Sequence, residues 1–428
     1  MILSDIVELN PRLSITKGKL APFIEMAALP TDDKYIPVIG ERVVSGSGAK
    51  FQNGDTLFAR ITPCLENGKG GYVAGLPDGV VAQGSTEFIV FRAKDSGDEQ
   101  FVYYISRHPE FRMFAEKGME GTSGRQRVTW KTLSDYKIHP LQSTERRAIG
   151  EILASLDDKI ELNRKMNETL EGMAREVFRD WFVDFGPTRR KMAGEVDPVK
   201  ILGGAITAPT QAQKTAALFP DTLGENGLPE GWVRLPVGEI SDIVGGGTPS
   251  TKNEGFWLDG QHQWATPRDL SKLSGIFIGD TERKLTDAGI AKVSSGLSSV
   301  GSVLMSSRAP IGYLAIARVP IAVNQGFIVM RPTKRFPTYF AKLWCEENME
   351  TIEANANGST FQEISKKNFK PILVASPNEG VLNAFSEIVG ALYKLIANSE
   401  AENQTLAEMR DLLLPKLMSG EIRLREGV

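Results

Sequence analysis

The chain has 428 residues, 41% hydrophobic and 24% charged, an ordinary globular balance that lets two or three domains bury cores of their own. Its two cysteines, Cys64 and Cys345, fall one in each half and exclude a disulfide framework, and a net charge of −3 argues against a simple basic nucleic-acid coat. No apolar run approaches the roughly 18 residues of a membrane helix, and Met1-Ile2-Leu3-Ser4-Asp5 is not a secretory signal, so a soluble cytoplasmic protein without a membrane partner is expected.

In chain order, residues 1–142 read as a mixed α+β segment. Thr56-Leu57-Phe58-Ala59-Arg60-Ile61 and Glu87-Phe88-Ile89-Val90-Phe91 have strand character, and Val102 to Lys117 has helical character. The segment closes on Gly121-Thr122-Ser123-Gly124-Arg125-Gln126, and residues 143–185 then form one long helix. Residues 186–229, rich in Gly, Pro, Ala and Thr, make a connector with room for short helical pieces. A second mixed segment covers 230–377, with a strand over Gly326–Met330, a helix over Tyr339–Ala354 and a closing turn Gly358-Ser359-Thr360-Phe361-Gln362. A second long helix follows over 378–420.

About 236 positions separate two copies of this pattern: Val128 falls on Ile364, Leu133 on Phe369, Leu170 on Leu406 and Met173 on Met409. A repeat that long holds its own core, so it is a domain duplication rather than a solenoid unit. Both long helices carry a heptad seam. The first runs through Ile149, Leu153, Leu156, Ile160, Asn163, Asn167, Leu170, Ala174, Val177 and Trp181. The second runs through Phe385, Val389, Leu392, Ile396, Ser399, Asn403, Leu406, Arg410, Leu413 and Leu417. Each has a polar pair at its middle, Asn163/Asn167 and Ser399/Asn403. Antiparallel pairing about a pseudo-twofold axis sets Asn163 against Asn403 and Asn167 against Ser399, a polar layer that rejects slipped registers. About 33 residues of helix span on the order of 50 Å, roughly one and a half turns of B-DNA. Pro415 is expected to end or kink the second helix early, leaving the two unequal.

Charge divides along the same lines. Ser143–Gly186 holds seven Lys/Arg against ten Asp/Glu and Asn378–Ser419 three against six, so the rest of the chain is +3. Acidic helices and mildly basic irregular segments suit protein contacts on the former and DNA contacts on the latter, although plain solvation produces the same counts.

Several segments resemble a known family. Ala59-Arg60-Ile61-Thr62-Pro63-Cys64-Leu65-Glu66-Asn67-Gly68-Lys69, Leu228-Pro229-Glu230-Gly231-Trp232, Gly246-Gly247-Thr248-Pro249-Ser250, Trp264-Ala265-Thr266-Pro267-Arg268-Asp269-Leu270 and Ser307-Arg308-Ala309-Pro310-Ile311-Gly312 are such segments. Together with the twice-present Gly-Ser/Thr turn they resemble the specificity subunits of type I restriction-modification systems, over nearly the whole chain. The first copy departs, opening on Asn10-Pro11-Arg12 without the Leu-Pro-x-Gly-Trp of the second. The resemblance implies two α+β target-recognition domains separated by two long antiparallel helices. Each domain would read one half of a bipartite, asymmetric site in double-stranded DNA. The helices would set the unread spacer and dock two methyltransferase subunits, which restriction/motor subunits then join. It implies no chemistry and no cofactor in this chain. The alternative is a two-domain adaptor on a coiled-coil stalk that does not touch DNA.

Bases are read mainly by Arg, Lys, Asn and Gln, while Ser, Thr, Lys and backbone N–H hold phosphates. The candidates are Arg60, Lys69, Arg125, Arg127 and Lys131 in the first copy, and Thr248, Ser250, Lys252, Arg268, Arg308 and Gln362 in the second. Solvated surfaces and turns use the same residue types. Aligned on Pro63 and Pro310, Arg60 and Arg308 are one residue out of register, which on a strand flips the side chain. The helix-pairing candidates are Leu153, Leu156, Ile160, Asn163, Asn167 and Leu170 with Val389, Leu392, Ile396, Ser399, Asn403 and Leu406. The glycine runs Gly245–Thr248 and Gly68–Gly71 lack the Gly-Lys-Ser/Thr ending of a P-loop and read as tight turns. Trp130 and Trp264 read as core. His108, His139 and His262 have no metal-ligand spacing. Asp32-Asp33-Lys34 and Asp157-Asp158-Lys159 only faintly resemble nuclease elements, without an upstream partner.

Overall fold

Residues 1–122, 124–358 and 362–424 are described by a computed structural model. Ser123 and Ser359-Thr360-Phe361, part of the two closing turns, lie outside the described residues. The chain divides into two compact units, Met1–Asn163 with Ala401–Val428 and Arg164–Glu400.

In the first unit the strand Thr56–Ala59 lies between Phe88–Ala93 and Gly70–Tyr72, with Val7–Leu9 at the edge, all antiparallel. Side chains alternate along a strand, so this sheet feeds two cores. Phe58, Ile89 and Phe91 pack with Phe101, Tyr104 and Phe111 of the following helices, while Leu57, Ala59, Phe88 and Val90 pack with Ile24, Phe51 and Val73. Burial on both faces explains the unbroken apolar runs seen in the sequence. A second sheet orders Gly40–Val43, Leu20–Ile24, Ala82–Gly84 and Lys50–Phe51, its middle pair parallel.

The second unit repeats that topology. Asp242–Val244, Phe327–Arg331, Val303–Ser307 and Ile311–Ala317 follow the same order, extended by Phe277–Ile278, and Arg283–Leu285, His262–Ala265 and Ile321–Val323 again include one parallel pair. Alternation again splits the central sheet. Val303, Met305, Ile328 and Met330 face one core, and Leu304, Phe327 and Val329 the other.

Two expected single helices are broken pairs. Glu99–Arg107 and Pro109–Lys117 are interrupted because Pro109 forces His108 into extended backbone (φ −62°, ψ 129°). Thr338–Glu347 and Met349–Ala354 are interrupted at Asn348, whose Nδ2 donates to the Trp344 carbonyl. The connector is no loose linker. It holds the helices Gly186–Met192, Pro198–Ile201 and Pro209–Ala216, and Ile201, Leu202, Ala212, Ala216 and Phe219 join the core around Trp181 and Trp232.

The long helices are Ser143–Phe182 and Glu379–Met418, equal at 40 residues. Pro415 does not shorten the second, because it stands in the last turn, where the carbonyl it leaves unpaired belongs to exposed Asp411. Within each unit the helices run antiparallel: Asp157 meets Arg410 and Asn163 meets Asn403 in one, and Phe178 and Phe182 meet Phe385 in the other. Asn163 Nδ2 donates to Asn403 Oδ1 at 2.8 Å and to Glu402 at 2.7 Å, and its own Oδ1 accepts from Lys159.

The other half of the expected polar layer does not form as a mutual hydrogen bond. Ser399 donates to the Leu395 carbonyl of its own helix, the nearest acceptor for a short hydroxyl, and Asn167 Oδ1 is buried without a partner. Leu153, Ile160, Val389 and Ile396 are buried, whereas Leu156, Leu170, Leu392, Asn403 and Leu406 are half-buried. The buried positions beside them are Asp157, Phe178, Tyr393 and Leu414. A helix at 3.6 residues per turn drifts off a strict 3.5 repeat, and positions 157 and 393 also face the globular helices that carry Tyr104 and Lys342. By length and composition Glu379–Met418 could cross a membrane, but Val381, Leu382, Phe385, Val389, Tyr393 and Ile396 of its apolar stripe are buried in protein core.

Candidate nucleic-acid interface

In the first unit the closing turn is pinned at its base. Glu120 and Arg127 exchange backbone hydrogen bonds, and Arg127 also bridges Ile61 at the end of the central strand. Val128 N–H donates to the Arg60 carbonyl, and Arg60 N–H donates to the Glu87 carbonyl. Arg60, Arg125, Arg127 and Glu87 therefore share one rim. Arg127 is held by Glu87, with Nε and Nη2 donating at 2.8–3.0 Å, and Nη1 donating to the Arg125 carbonyl. The Glu87 carboxylate raises the Arg127 pKa above its ordinary value. Arg125 is exposed, while Arg60 is half-buried with its Nε unpartnered.

Lys69 points elsewhere, its ammonium spent on the Met26 and Ala27 carbonyls. Lys131 is exposed with its ammonium 5.9 Å from the centre of the Trp130 ring. Trp130 itself is 43% exposed rather than core, because it opens a five-residue helix whose buried side is Leu133. Trp264 is buried, as its sequence context implied.

The second unit builds the same frame. Asn357 and Glu363 exchange backbone hydrogen bonds, Arg308 bridges Glu363, Ile364 N–H donates to the Ser307 carbonyl, and Ser307 N–H donates to Gly326. Arg60 thus corresponds to Ser307 and Ile61 to Arg308, so the one-residue offset between the two arginines is real. Arg308 forms an ion pair with Glu363, Nη1 to Oε2 at 3.8 Å. Gln362 is exposed beside it. Thr248 Oγ1 donates to Gln325 Oε1 at 2.6 Å, which brings the glycine run to the same rim.

That approach requires glycine: a Cβ on Gly246 would lie 2.0 Å from the Val323 carbonyl oxygen, and Gly247 N–H donates to that oxygen. Arg268, mostly exposed on the short helix Pro267–Ser271, lies 3.9 Å from Glu282, and Pro267 packs close to Gly326. Ser250 accepts the Trp257 indole N–H on its backbone carbonyl, and Lys252 is exposed on the same loop.

The fold and these rims are matched by the sequence model described as "Type I restriction modification DNA specificity domain", over residues 3–172 and again over 229–409. The chain belongs to that family. It is 28% identical to the type I restriction enzyme HindI specificity subunit of Haemophilus influenzae, over 87% of each chain. It is 31% identical to the MjaIX specificity subunit of Methanocaldococcus jannaschii, over 42% of each. Among solved structures, the S subunit of a type I restriction-modification system from M. genitalium has the same fold, with a TM-score of 0.52 at 16% identity over 98% of this chain and 95% of that one.

Sequence reasoning missed the carboxylates Glu87 and Glu363, and Gln325. The repeat spacing does set Arg127 on Glu363. The faint nuclease elements are structural: Asp157 takes the Arg410 guanidinium at 2.6 Å and the Tyr104 hydroxyl, and Asp158 takes buried Lys34 and Tyr35.

Proposed function

We propose that this chain is the sequence-specificity component of a type I restriction-modification complex and acts by binding. Residues 1–142 and 230–377 each read one half of a bipartite site in double-stranded DNA. The long helices, 143–185 and 378–420, set the spacer and dock two methyltransferase subunits. Residues 186–229 brace the second domain, and restriction/motor subunits join the assembled complex.

One observation carries the reading. The family match occurs twice, on two units with one strand order and one pinned turn but different side chains at that turn. A duplicated frame with diverged rims suits recognition of two unlike half-sites. DNA-contact candidates remain Arg60, Arg125, Arg127 and Lys131 in one rim and Thr248, Ser250, Lys252, Arg268, Arg308 and Gln362 in the other. Lys69 contributes by bracing its loop. Asp157 and Asp158 are committed to internal ion pairs; in this reading sequence discrimination is the role of this chain, and methylation and cleavage belong to its partners.

The test is made on the complex with its methyltransferase partners. Removing one heptad from each long helix shortens the pair by about 10 Å, so the methylated spacer contracts by about three base pairs while both half-sites persist. An unchanged spacer refutes the ruler. Exchange of residues 1–142 for another recognition unit changes one half-site only. A non-DNA adaptor would show negligible duplex binding, without the steep loss of affinity on adding salt that phosphate contacts produce.

A further inference from the structure

The pinned turn holds an acid–base pair in both copies, with the cation on opposite sides of the equivalent backbone bridge. In the first copy the turn supplies the cation, Arg127, and the anion, Glu87, comes from the neighbouring strand connection. In the second the strand end supplies the cation, Arg308, and the turn supplies the anion, Glu363. We propose that Arg127 and Arg308 each read one guanine, and that Glu87, which holds Arg127 by hydrogen bonds, is the positioning residue that aims it, while Glu363 meets Arg308 only as a charge partner at 3.8 Å. The proposal rests on the DNA reading above and names a base and a residue within each half-site.

Counting donors supports the geometry. A guanidinium has five N–H groups. In Arg127 the Nε–H and one Nη2–H go to Glu87, and one Nη1–H goes to the Arg125 carbonyl. One N–H remains on each Nη; with the Arg125 carbonyl on the Nη1–H nearer Cδ, they form the forked pair that matches N7 and O6 on the major-groove edge of guanine. Holding a long side chain by its inner edge removes rotamer freedom before binding, which favours discrimination over general attraction.

The carboxylates need an explanation of their own. An acid on a surface that meets phosphates costs affinity, and Glu87 and Glu363 both stand beside their arginine at partly exposed positions. Retaining such a pair in both copies, while its two members change sides, fits a demand for an oriented guanidinium rather than for net positive charge. Because the arginines enter from different strands of the bridge, the guanine need not occupy the same place in the two half-sites.

The experiment is selection of a randomised duplex pool by the complex with its methyltransferase partners, followed by sequencing. Arg127→Ala and Arg127→Lys are each expected to reduce discrimination at one guanine of one half-site by roughly 5- to 150-fold, leaving the other half-site intact. Arg308→Ala and Arg308→Lys do the same in the other half. The lysine variants keep the charge and lose the fork, so they retain overall affinity, which a misfolded domain would not. Glu87→Gln weakens the same guanine preference as Arg127→Lys without lowering affinity for random duplex. If Arg127→Ala weakens all sequences equally and reduces the salt slope by about one, the residue holds a phosphate and the inference fails while the DNA assignment stands. Loss of preference at a base other than guanine also overturns it. A wild-type complex that enriches no sequence overturns the functional assignment and this inference together.

Discussion

Removing Arg410 tests how the first unit grips the long helices. Asp157 is 4% exposed at its side chain and Arg410 14%, and Nη1 meets Oδ1 at 2.6 Å. Burial opposes the charge on Arg410, but Asp157 and then Asp411 raise its pKa above the ordinary value. Truncating one member of a buried pair typically costs about 3–5 kcal/mol, because the other is left charged in a poor solvent. The Tyr104 hydroxyl still donates to Asp157, and a hydrogen bond to a charged group recovers part of that loss. Arg410→Met should therefore destabilise the first unit by about 2–4 kcal/mol. The double variant Asp157→Asn with Arg410→Met removes the stranded charge and should recover to within about 1 kcal/mol of wild type. The second copy has no charge at the repeat-equivalent positions Tyr393 and Ala174 themselves, and sets buried Lys342 against the Tyr393 ring instead. The assay is hydrogen exchange of the full chain across a urea series, because two units need not unfold as one transition. Peptides covering 99–117 and 150–163 report the loss, while those covering 385–396 serve as the internal control. A single variant within about 0.5 kcal/mol of wild type, or a double variant as damaged as the single, refutes the reasoning.

Burial lowers the His108 pKa from its ordinary 6.5, with Glu110 opposing. The unfolded chain then binds the proton more readily, so this contribution is present above pH 6.5 and is lost as pH falls through the interval below it. His108→Gln should flatten the decline in first-unit stability between pH 7.5 and 5.5 (a range chosen about that ordinary value) relative to wild type; equal slopes by urea titration would reject the assignment. Gly246→Ala must move either the glycine run or the Val323 carbonyl, and should cost about 2 kcal/mol or more while perturbing exchange at Asn324–Gly326 in the second unit. Unchanged exchange there would show that the run is not pinned. Lys342 is buried between Glu171 and Glu346, at 3.2 and 2.9 Å. Lys342→Met should cost about 1–3 kcal/mol, less than a fully stranded charge, because Glu171 and Glu346 both keep Arg175, at 3.3 and 3.6 Å, and added Glu171→Gln should restore part of it; a single variant as stable as wild type by urea unfolding would refute this.

The central strands were readable because burial on both faces turns Thr56–Ala59 and Phe327–Arg331 into plain apolar runs. The long helices were readable from their heptads. The error at Pro415 came from applying an interior rule to a last turn, and the helix break at Pro109 stood in the sequence but was not used. The strands Leu20–Ile24, Gly40–Val43 and Ala82–Gly84 gave little local signal, since they are short and their parallel pair joins residues about sixty positions apart. The rim was only partly legible in the sequence. Arg127 and Arg308 stood out as residue types, but Glu87 reaches Arg127 across 40 positions, a contact no local pattern encodes.

Duplication supplies an internal control that a single domain lacks. At the pinned turn the backbone bridges Ile61–Arg127 and Arg308–Glu363 are equivalent, while the cation stands on the turn in one copy and on the strand end in the other. At the helix pair, Asp157 with Arg410 in one copy stands where Tyr393 and Ala174 stand in the other. In both places the frame persists and the side chains do not. Apolar periodicity and backbone pairing therefore suffice to specify the frame, and polar residues are free to differ. That freedom is expected at the rims under the proposed function, since different half-sites would require different donors and acceptors. It is less expected at the buried helix pair, where the Asp157–Arg410 pair gives way to Tyr393 packed against Lys342; such an exchange is energetically permitted because desolvation offsets most of the Coulomb attraction of a buried pair. Divergence at a buried site thus reflects near-equal stability of two solutions, whereas divergence at the rim is what the proposed reading of two unlike half-sites requires.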